Sequence, residues 1–190
     1  MLNRIPISLV ILRFLLGPLL LWNAWDGRTD AWFMTGFLTG FWSDVLDGVI
    51  ARQLQISTAQ LRQADSAADV CFYGCVFASA WLTHADQIAA FRIPLLTVVA
   101  AQVVLYGLNW WKFGKGPSYH TYTAKAWGIA LCLAVIDLFA FDHTGLALWI
   151  AIAAALLNSI EEIVMTLILP EWRYDVPSLW HVLRSPDPAP

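Results

Sequence analysis

Long apolar stretches constrain this chain more than any other feature. A helix needs about 20 apolar residues to cross the roughly 30 Å hydrocarbon core of a bilayer. The third and fifth stretches are shorter than that, so we expect their helices to extend back into the preceding polar residues, which places Asp65 and Lys125 on helix. The sequence therefore predicts an all-α integral membrane protein, a bundle of six transmembrane helices. The six stretches are Pro6–Trp25, Ala31–Ile50, Ala67–Thr83, Ile88–Trp111, Ala126–Phe141 and Leu146–Leu169.

The composition agrees with a membrane protein and excludes several other classes. Hydrophobic residues make up 59% and charged residues 13% of the chain, whereas soluble domains carry about 25% charged residues. The net charge of −3 and the lack of a basic block argue against a nucleic-acid partner. The three cysteines have the spacing of neither a disulfide framework nor a zinc site.

The distribution of basic residues predicts the orientation of such a six-span chain. Cytoplasmic loops carry the excess of Lys and Arg. Only Arg28 and Arg92 fall on one side of the predicted bundle, so we expect both termini to be cytoplasmic and the protein to lie in the cytoplasmic membrane. We divide the chain into a transmembrane domain, 1–170, and a cytoplasmic tail, 171–190. The basic residues on the cytoplasmic side are Arg4, Arg52, Arg62, Lys112, Lys115, Lys125, Arg173 and Arg184.

The segment between the second and third spans, "SDVLDGVIARQLQISTAQLRQADSAADV", is unusually acidic. Asp65 and Asp69 are four residues apart and share one helical face. Two helices joined by a short loop can aim two carboxylate pairs at one point. A second face carries two carboxylates, two small residues that let a ligand approach the backbone, and a guanidinium suited to phosphate. Its members are Asp44, Asp47, Gly48, Ala51 and Arg52.

Four carboxylates at the membrane edge repel one another, and divalent cations relieve that repulsion. Carboxylate oxygens without His or Cys are the ligands that Mg²⁺ or Mn²⁺ prefer. Two such ions balance four negative charges, and metal pairs typically serve phosphoryl chemistry. A component of a membrane cation transporter is the alternative, because acid-lined helices also serve ions. A transport path distributes its acids across the bilayer, whereas these acids cluster on one side.

The same segment resembles the signature of the CDP-alcohol phosphotransferase (CDP-alcohol phosphatidyltransferase) family, D-x2-D-G-x2-A-R-x8-G-x3-D-x3-D. The family's later glycine is Leu61 here. Arg13 resembles a first-span arginine of the family, although the asparagine and threonine that often precede it are Ile7 and Val10. The other seven fixed positions match in register, at Asp44, Asp47, Gly48, Ala51, Arg52, Asp65 and Asp69.

The resemblance implies transfer of a substituted phosphate, the phosphatidyl group of CDP-diacylglycerol, to a small alcohol, with release of CMP, in phospholipid biosynthesis. It also implies two Mg²⁺ or Mn²⁺ ions, contact with membrane lipid, and a homodimer. Leu61 in place of glycine leaves a second interpretation open, a catalytically inactive relative that binds lipid or nucleotide. The implied metal ligands are Asp44, Asp47, Asp65 and Asp69, with Asp69 also the general base; Gly48, Ala51 and Arg52 are implied in nucleotide binding.

Two further groups of polar residues lie in the second half of the chain. Lys125 opens the fifth span beside a basic stretch, and we expect it to face the bundle and to pair there with an acceptor phosphate or with the carboxylates of the metal site. Glu161 and Glu162 lie inside the last span beside Asn158, where a polar clamp between helices is the favoured interpretation. The segment "PEWRYDVPSLWHVLR" after that span predicts a short amphipathic helix.

Overall fold

The structure is a computed structural model that describes residues 5–54 and 58–184, without the side chains of residues 51 and 52. Within these ranges the chain contains helices and connecting segments but no strand, so the prediction of an all-α protein is confirmed. The helices are α1 (Ile5–Asn23), α2 (Ala31–Gln53), α3 (Ala59–Thr83), α4 (Ala85–Ala90), α5 (Arg92–Phe113), α6 (Tyr122–Phe141), α7 (Leu146–Ile168) and α8 (Leu179–Arg184).

Five of these helices, α1, α3, α5, α6 and α7, are long and apolar enough to cross a membrane. The protein is therefore a multi-pass membrane protein by the length and composition of its helices. Helix α2 has 23 residues, which at about 1.5 Å per residue is also long enough to cross, but its Thr, Gly and Asp residues make it more polar. The sixth span and the cytoplasmic position of the termini stay predictions.

The helix boundaries confirm two expectations and correct a third. Helices α3 and α6 begin earlier than their apolar stretches, so Asp65 and Lys125 lie on helix as predicted. The predicted start of the fourth span at Ile88 was wrong, because Ile88 belongs to α4 and α5 begins at Arg92. Pro94 explains the break, since a residue without an N–H group fits only the first turn of a helix.

The chain forms two compact units. The first consists of Met1–Ala90 with Leu138–His143, and the second of Phe91–Asp137 with Thr144–Pro190. Residues 171–184 belong to the second unit, while the predicted domain boundary at 170 stays a prediction. The tail residues 185–190 lie outside the described part of the chain.

In the first unit, α1 packs against both α2 and α3. Gly17 of α1 permits a close approach to α3, because a Cβ atom at this position would lie 3.0 Å from the Cα atom of Phe72 and 3.3 Å from the carbonyl oxygen of Cys71. The Phe72 ring also stacks on Phe37 of α2, with ring centroids 6.0 Å apart. The face of α1 that these contacts bury carries Pro6, Val10, Arg13, Leu16, Gly17 and Leu20.

In the second unit, α5 packs against α7 through polar contacts as well as apolar ones. The Asn109 amide donates to Thr166 Oγ1 over 2.9 Å, and the Gln102 amide donates to Ser159 Oγ over 2.9 Å. Hydrogen bonds between helices of this kind support packing where lipid removes the hydrophobic driving force. Glu161 of α7 accepts from the Thr123 hydroxyl of α6, which confirms the predicted polar clamp for that residue.

Gly17→Val should lower the thermal unfolding midpoint of the detergent-solubilised protein by about 3–10 °C, because the added methyl groups force α1 away from the backbone of α3. Gly74→Val is the matched control, since a Cβ atom on Gly74 of α3 would meet nothing within 4 Å. Equal midpoints for the two variants would contradict the close approach at Gly17.

Candidate metal centre

Four carboxylates of the first unit come from the adjoining ends of α2 and α3. Asp44 and Asp47 lie three residues apart near the end of α2, and Asp65 and Asp69 lie four residues apart near the start of α3. Asp47 and Asp65 are almost fully buried, at 3% and 2% exposure. The Asp44 and Asp69 side chains keep about a third of their surface accessible, at 33% and 29%. The centre is therefore closed on one side and open on the other.

The first turns of α3 are fixed by a helix cap. Thr58 is the N-cap residue, and its side-chain oxygen accepts from the backbone N–H of Leu61 over 3.2 Å. This hydrogen bond satisfies one of the free N–H groups at a helix start. It sets where α3 begins and therefore which turn carries Asp65.

Arg13 of α1 joins all four carboxylates, and its side chain is fully buried. Its Nη1 atom lies 2.8 Å from Asp44 Oδ1, and its Nη2 atom lies 3.2 Å from Asp47 Oδ2. Its Nε atom lies 3.0 Å from Asp69 Oδ1, and Nη2 also donates to Asp65 Oδ1. One guanidinium group on α1 thus holds two carboxylates of α2 and two of α3.

A second arginine, Arg62, adjoins the same cluster. Its Nη1 atom lies 3.5 Å from Asp65 Oδ2, and the residue is 1% exposed. Four carboxylates against the guanidinium groups of Arg13 and Arg62 leave these six side chains with a net charge of −2. The cluster therefore attracts cations.

The chemistry and spacing of the acids fit a hard divalent cation. Carboxylate oxygens of Asp44, Asp47 and Asp65 lie within 4.8 Å of one another. Mg²⁺ binds oxygen ligands at 2.0–2.1 Å in an octahedron, so ligand oxygens around one ion lie within about 4.2 Å of one another. The spacing of these three acids is thus close to that of ligands around one ion, and the Arg13 guanidinium group lies among their oxygens. Asp69 is outside this set of three but contacts the same Arg13 side chain.

Of the remaining signature positions, the structure describes Gly48 and Leu61 fully but Ala51 and Arg52 only as part of α2. Gly48 is buried on α2, four residues after Asp44. Ala51 and Arg52 belong to α2, but their side chains lie outside the described part of the chain. Leu61, which replaces the family glycine, lines a crevice together with Asp47 and Asp65. Its side chain thus occupies space next to two of the acids.

Lys125 belongs to the second unit, on the first turn of α6. Its side chain is exposed, and its Nζ atom lies 5.1 Å from the centre of the Tyr122 ring. We expected this side chain to face the bundle, and the exposure corrects that orientation. An ammonium group held over an aromatic ring remains accessible to an anion.

Sequence analysis assigns no site role to the two arginines of the cluster. Arg13 resembles a family arginine but is not placed with the four aspartates there, although a single Arg inside an apolar span is itself a sign of a buried acidic partner. Arg62 lies three residues before Asp65 on the same helix, and that spacing indicates an ion pair.

The sequence of the chain was compared with known protein families, curated proteins and solved structures. Residues 3–167 match the family model described as CDP-alcohol phosphatidyltransferase. A search of curated proteins and of solved structures found no match to the chain. The matched segment includes the whole metal centre and covers most of the 190 residues. The chain therefore belongs to the CDP-alcohol phosphatidyltransferase family.

Proposed function

We propose that this protein transfers the phosphatidyl group of CDP-diacylglycerol to a small alcohol and releases CMP, in phospholipid biosynthesis at the cytoplasmic face of the membrane. The family supports the coarser part of this proposal, since its members transfer a phosphatidyl group from a CDP-alcohol to an acceptor. The observation that carries it is the convergence of four carboxylates of α2 and α3 on Arg13. Buried acids are costly in a membrane protein, and they mark functional sites.

In this proposal, one set of signature residues binds the metal ions and another binds the nucleotide. Asp44, Asp47 and Asp65 hold Mg²⁺ or Mn²⁺, and Asp69 completes a site for two ions. When bound, such ions neutralise the diphosphate of the donor and stabilise the CMP leaving group. Gly48, Ala51 and Arg52 bind the nucleotide, because small residues admit it to the helix surface and a guanidinium pairs with phosphate.

Asp69 is the general base of the proposed reaction. Its carboxylate is partly exposed, so an acceptor alcohol can reach it. Asp69 takes the hydroxyl proton as the acceptor oxygen forms a bond to the phosphorus that carries diacylglycerol. The bond from that phosphorus to the bridging oxygen breaks, and the bridging oxygen leaves as part of CMP. Arg13 keeps Asp69 oriented through the contact at its Nε atom.

Lys125 is proposed to bind the acceptor. Its exposed ammonium group suits an anionic alcohol, for example one that carries a phosphate. Glycerol 3-phosphate and an inositol phosphate fit this chemistry better than serine or an amino alcohol. A homodimer is part of the proposal through the family alone.

A catalytically inactive relative that binds lipid or nucleotide is the second candidate, and Leu61 is the observation that favours it. The side chain lines the crevice beside Asp47 and Asp65, where the family pattern has no side chain at all. Retention of all four acids favours activity. A cation transporter is less well supported, since the two acid pairs lie together at the adjoining ends of α2 and α3 rather than along a path.

Purified protein supplied with labelled CDP-diacylglycerol, Mg²⁺ and a panel of alcohols should form a labelled phospholipid and CMP, and excess chelator should abolish the reaction. Asp44→Asn should lower turnover at least about 100-fold, because an amide is a much poorer metal ligand than a carboxylate. Asp86→Asn, the same change at an exposed position of α4, is the matched control and should leave turnover unchanged. Full activity in chelator would contradict the metal-dependent mechanism.

Asp69→Asn should lower kcat by about 10²–10⁴-fold, the usual contribution of a general base, while CMP affinity in the presence of Mg²⁺ falls much less than in Asp47→Asn, because Asp44, Asp47 and Asp65 remain. Asp47→Asn should instead lose CMP affinity and turnover together, because its carboxylate is proposed to hold the metal that binds the phosphate. Calorimetric titration with CMP and steady-state kinetics separate the two outcomes. Wild-type kcat in Asp69→Asn would remove this residue from the mechanism.

A further inference from the structure

The connection between α5 and α6 spans residues 114–121 and forms no helix, yet its residues 116–121 are buried or partly buried. Tyr119 is 1% exposed, Thr121 is fully buried and Ser118 is 3% exposed. Loops normally run over the surface, because a buried loop must find partners for its backbone polar groups. Several partners of this loop come from residues 169–184, a segment that we call the strap and that follows α7.

Three hydrogen bonds join the strap to the loop and to the start of α6. The backbone N–H of Asp175 donates to the Ser118 carbonyl over 3.2 Å, and the N–H of Tyr122 donates to the Pro177 carbonyl over 3.0 Å. The Trp172 indole N–H donates to the Gly116 carbonyl over 2.9 Å. These bonds are spread along the loop, so the strap holds its whole length.

Apolar side chains of the loop and the strap also pack against each other. Tyr119 forms a buried cluster with Met165 of α7 and with Leu169 and Val182 of the strap. The Tyr119 hydroxyl also donates to Asn109 Oδ1 over 3.2 Å and pairs with Thr166 Oγ1 over 2.9 Å. The loop is therefore fixed to α5 and α7 on one side and to the strap on the other.

Glu161 is the ionic anchor of the strap. Its Oε1 atom accepts from the backbone N–H of Leu179 over 2.9 Å, and its Oε2 atom accepts from the Thr123 hydroxyl. One carboxylate thus binds the strap and the first turn of α6. Hydrogen bonds to a charged acceptor are stronger than neutral ones.

Two residues that face each other across the contact adopt left-handed backbone conformations. The φ angles of His120 and Asp175 are 56° and 54°, and their Nδ1 and Oδ1 atoms lie 3.6 Å apart. Residues other than glycine rarely adopt this conformation, and they hold it only where surrounding contacts enforce it. The strap and the loop therefore determine each other's shape.

The loop and its flanks carry three lysines with different environments. Lys112 donates to the carbonyls of Thr166 and Leu167 over 2.9 and 2.8 Å, so its ammonium group is engaged in the fold. Lys115 and Lys125 are exposed. The Nζ atom of Lys115 lies 4.6 Å from the centre of the Trp172 ring, which belongs to the strap.

We propose that the strap positions Lys115 and the start of α6 for an anionic acceptor, with Glu161 and Trp172 as the positioning residues. The strap lies beyond residues 3–167, the part of the chain that matches the family. The strap is therefore an addition to the part of the chain that the family match describes. This inference rests on the proposed function for the acceptor, whereas the hold of the strap on the loop does not depend on it.

The test compares Glu161→Gln and Trp172→Phe with Glu171→Gln, which makes the same change as the first variant at an exposed position of the strap. Hydrogen exchange at the backbone amides of Tyr122 and Asp175 should be about tenfold faster in the first two variants and unchanged in the control, since Trp172→Phe lacks the indole donor and Glu161→Gln lacks the charge and one of the two accepting oxygens. Trp172→Phe is the milder change and serves if Glu161→Gln folds poorly.

Kinetics with glycerol 3-phosphate as the acceptor probe should show KM raised about three- to tenfold in Glu161→Gln and Trp172→Phe, with kcat and the KM for CDP-diacylglycerol unchanged. Unchanged hydrogen exchange in both variants would overturn the claim that the strap holds the loop. Faster exchange with an unchanged acceptor KM would overturn its role in acceptor binding. Failure of the wild type to turn over any alcohol would instead overturn the proposed function, and the exchange comparison would still decide whether the strap holds the loop.

Discussion

The contact of one buried guanidinium with four carboxylates determines the arrangement of the first three helices. Arg13 is fully buried on α1, and a charge without partners at that depth is strongly unfavourable. Asp44 and Asp47 of α2 and Asp65 and Asp69 of α3 supply the partners, so the two acid pairs can converge only where α1 lies against both helices. Gly17, one turn after Arg13, gives α1 the close approach to α3 that this requires.

The same contact leaves the centre with a surplus of negative charge. The Arg13 guanidinium group contacts all four carboxylates but neutralises only one of their four negative charges. Arg62 neutralises one more. The residual negative charge and the oxygen-only ligand set suit Mg²⁺ or Mn²⁺ rather than softer metals. In the proposed reaction, the carboxylates that pair with Arg13 in the fold are therefore also the residues that would hold the metal ions.

Much of this site could be predicted from the sequence, because helical spacing alone places Asp44 with Asp47 and Asp65 with Asp69. The central position of Arg13 could not, since its spacing in sequence from the acids says nothing about which helices adjoin. The orientation of Lys125 was missed for a related reason: a ring one turn away, Tyr122, offers its ammonium group a partner at the surface. The break before α5 follows from Pro94, whose effect on the apolar stretch we overlooked.

The number of divalent ions bound at the four acids tests this account most directly. Mn²⁺ titration of the detergent-solubilised protein, followed by electron paramagnetic resonance, counts bound ions and detects coupling between neighbouring ones. We predict two coupled Mn²⁺ ions per chain, and their loss when Asp44, Asp47, Asp65 and Asp69 are together replaced by Asn. Equal Mn²⁺ binding by the wild type and this fourfold variant would contradict the account.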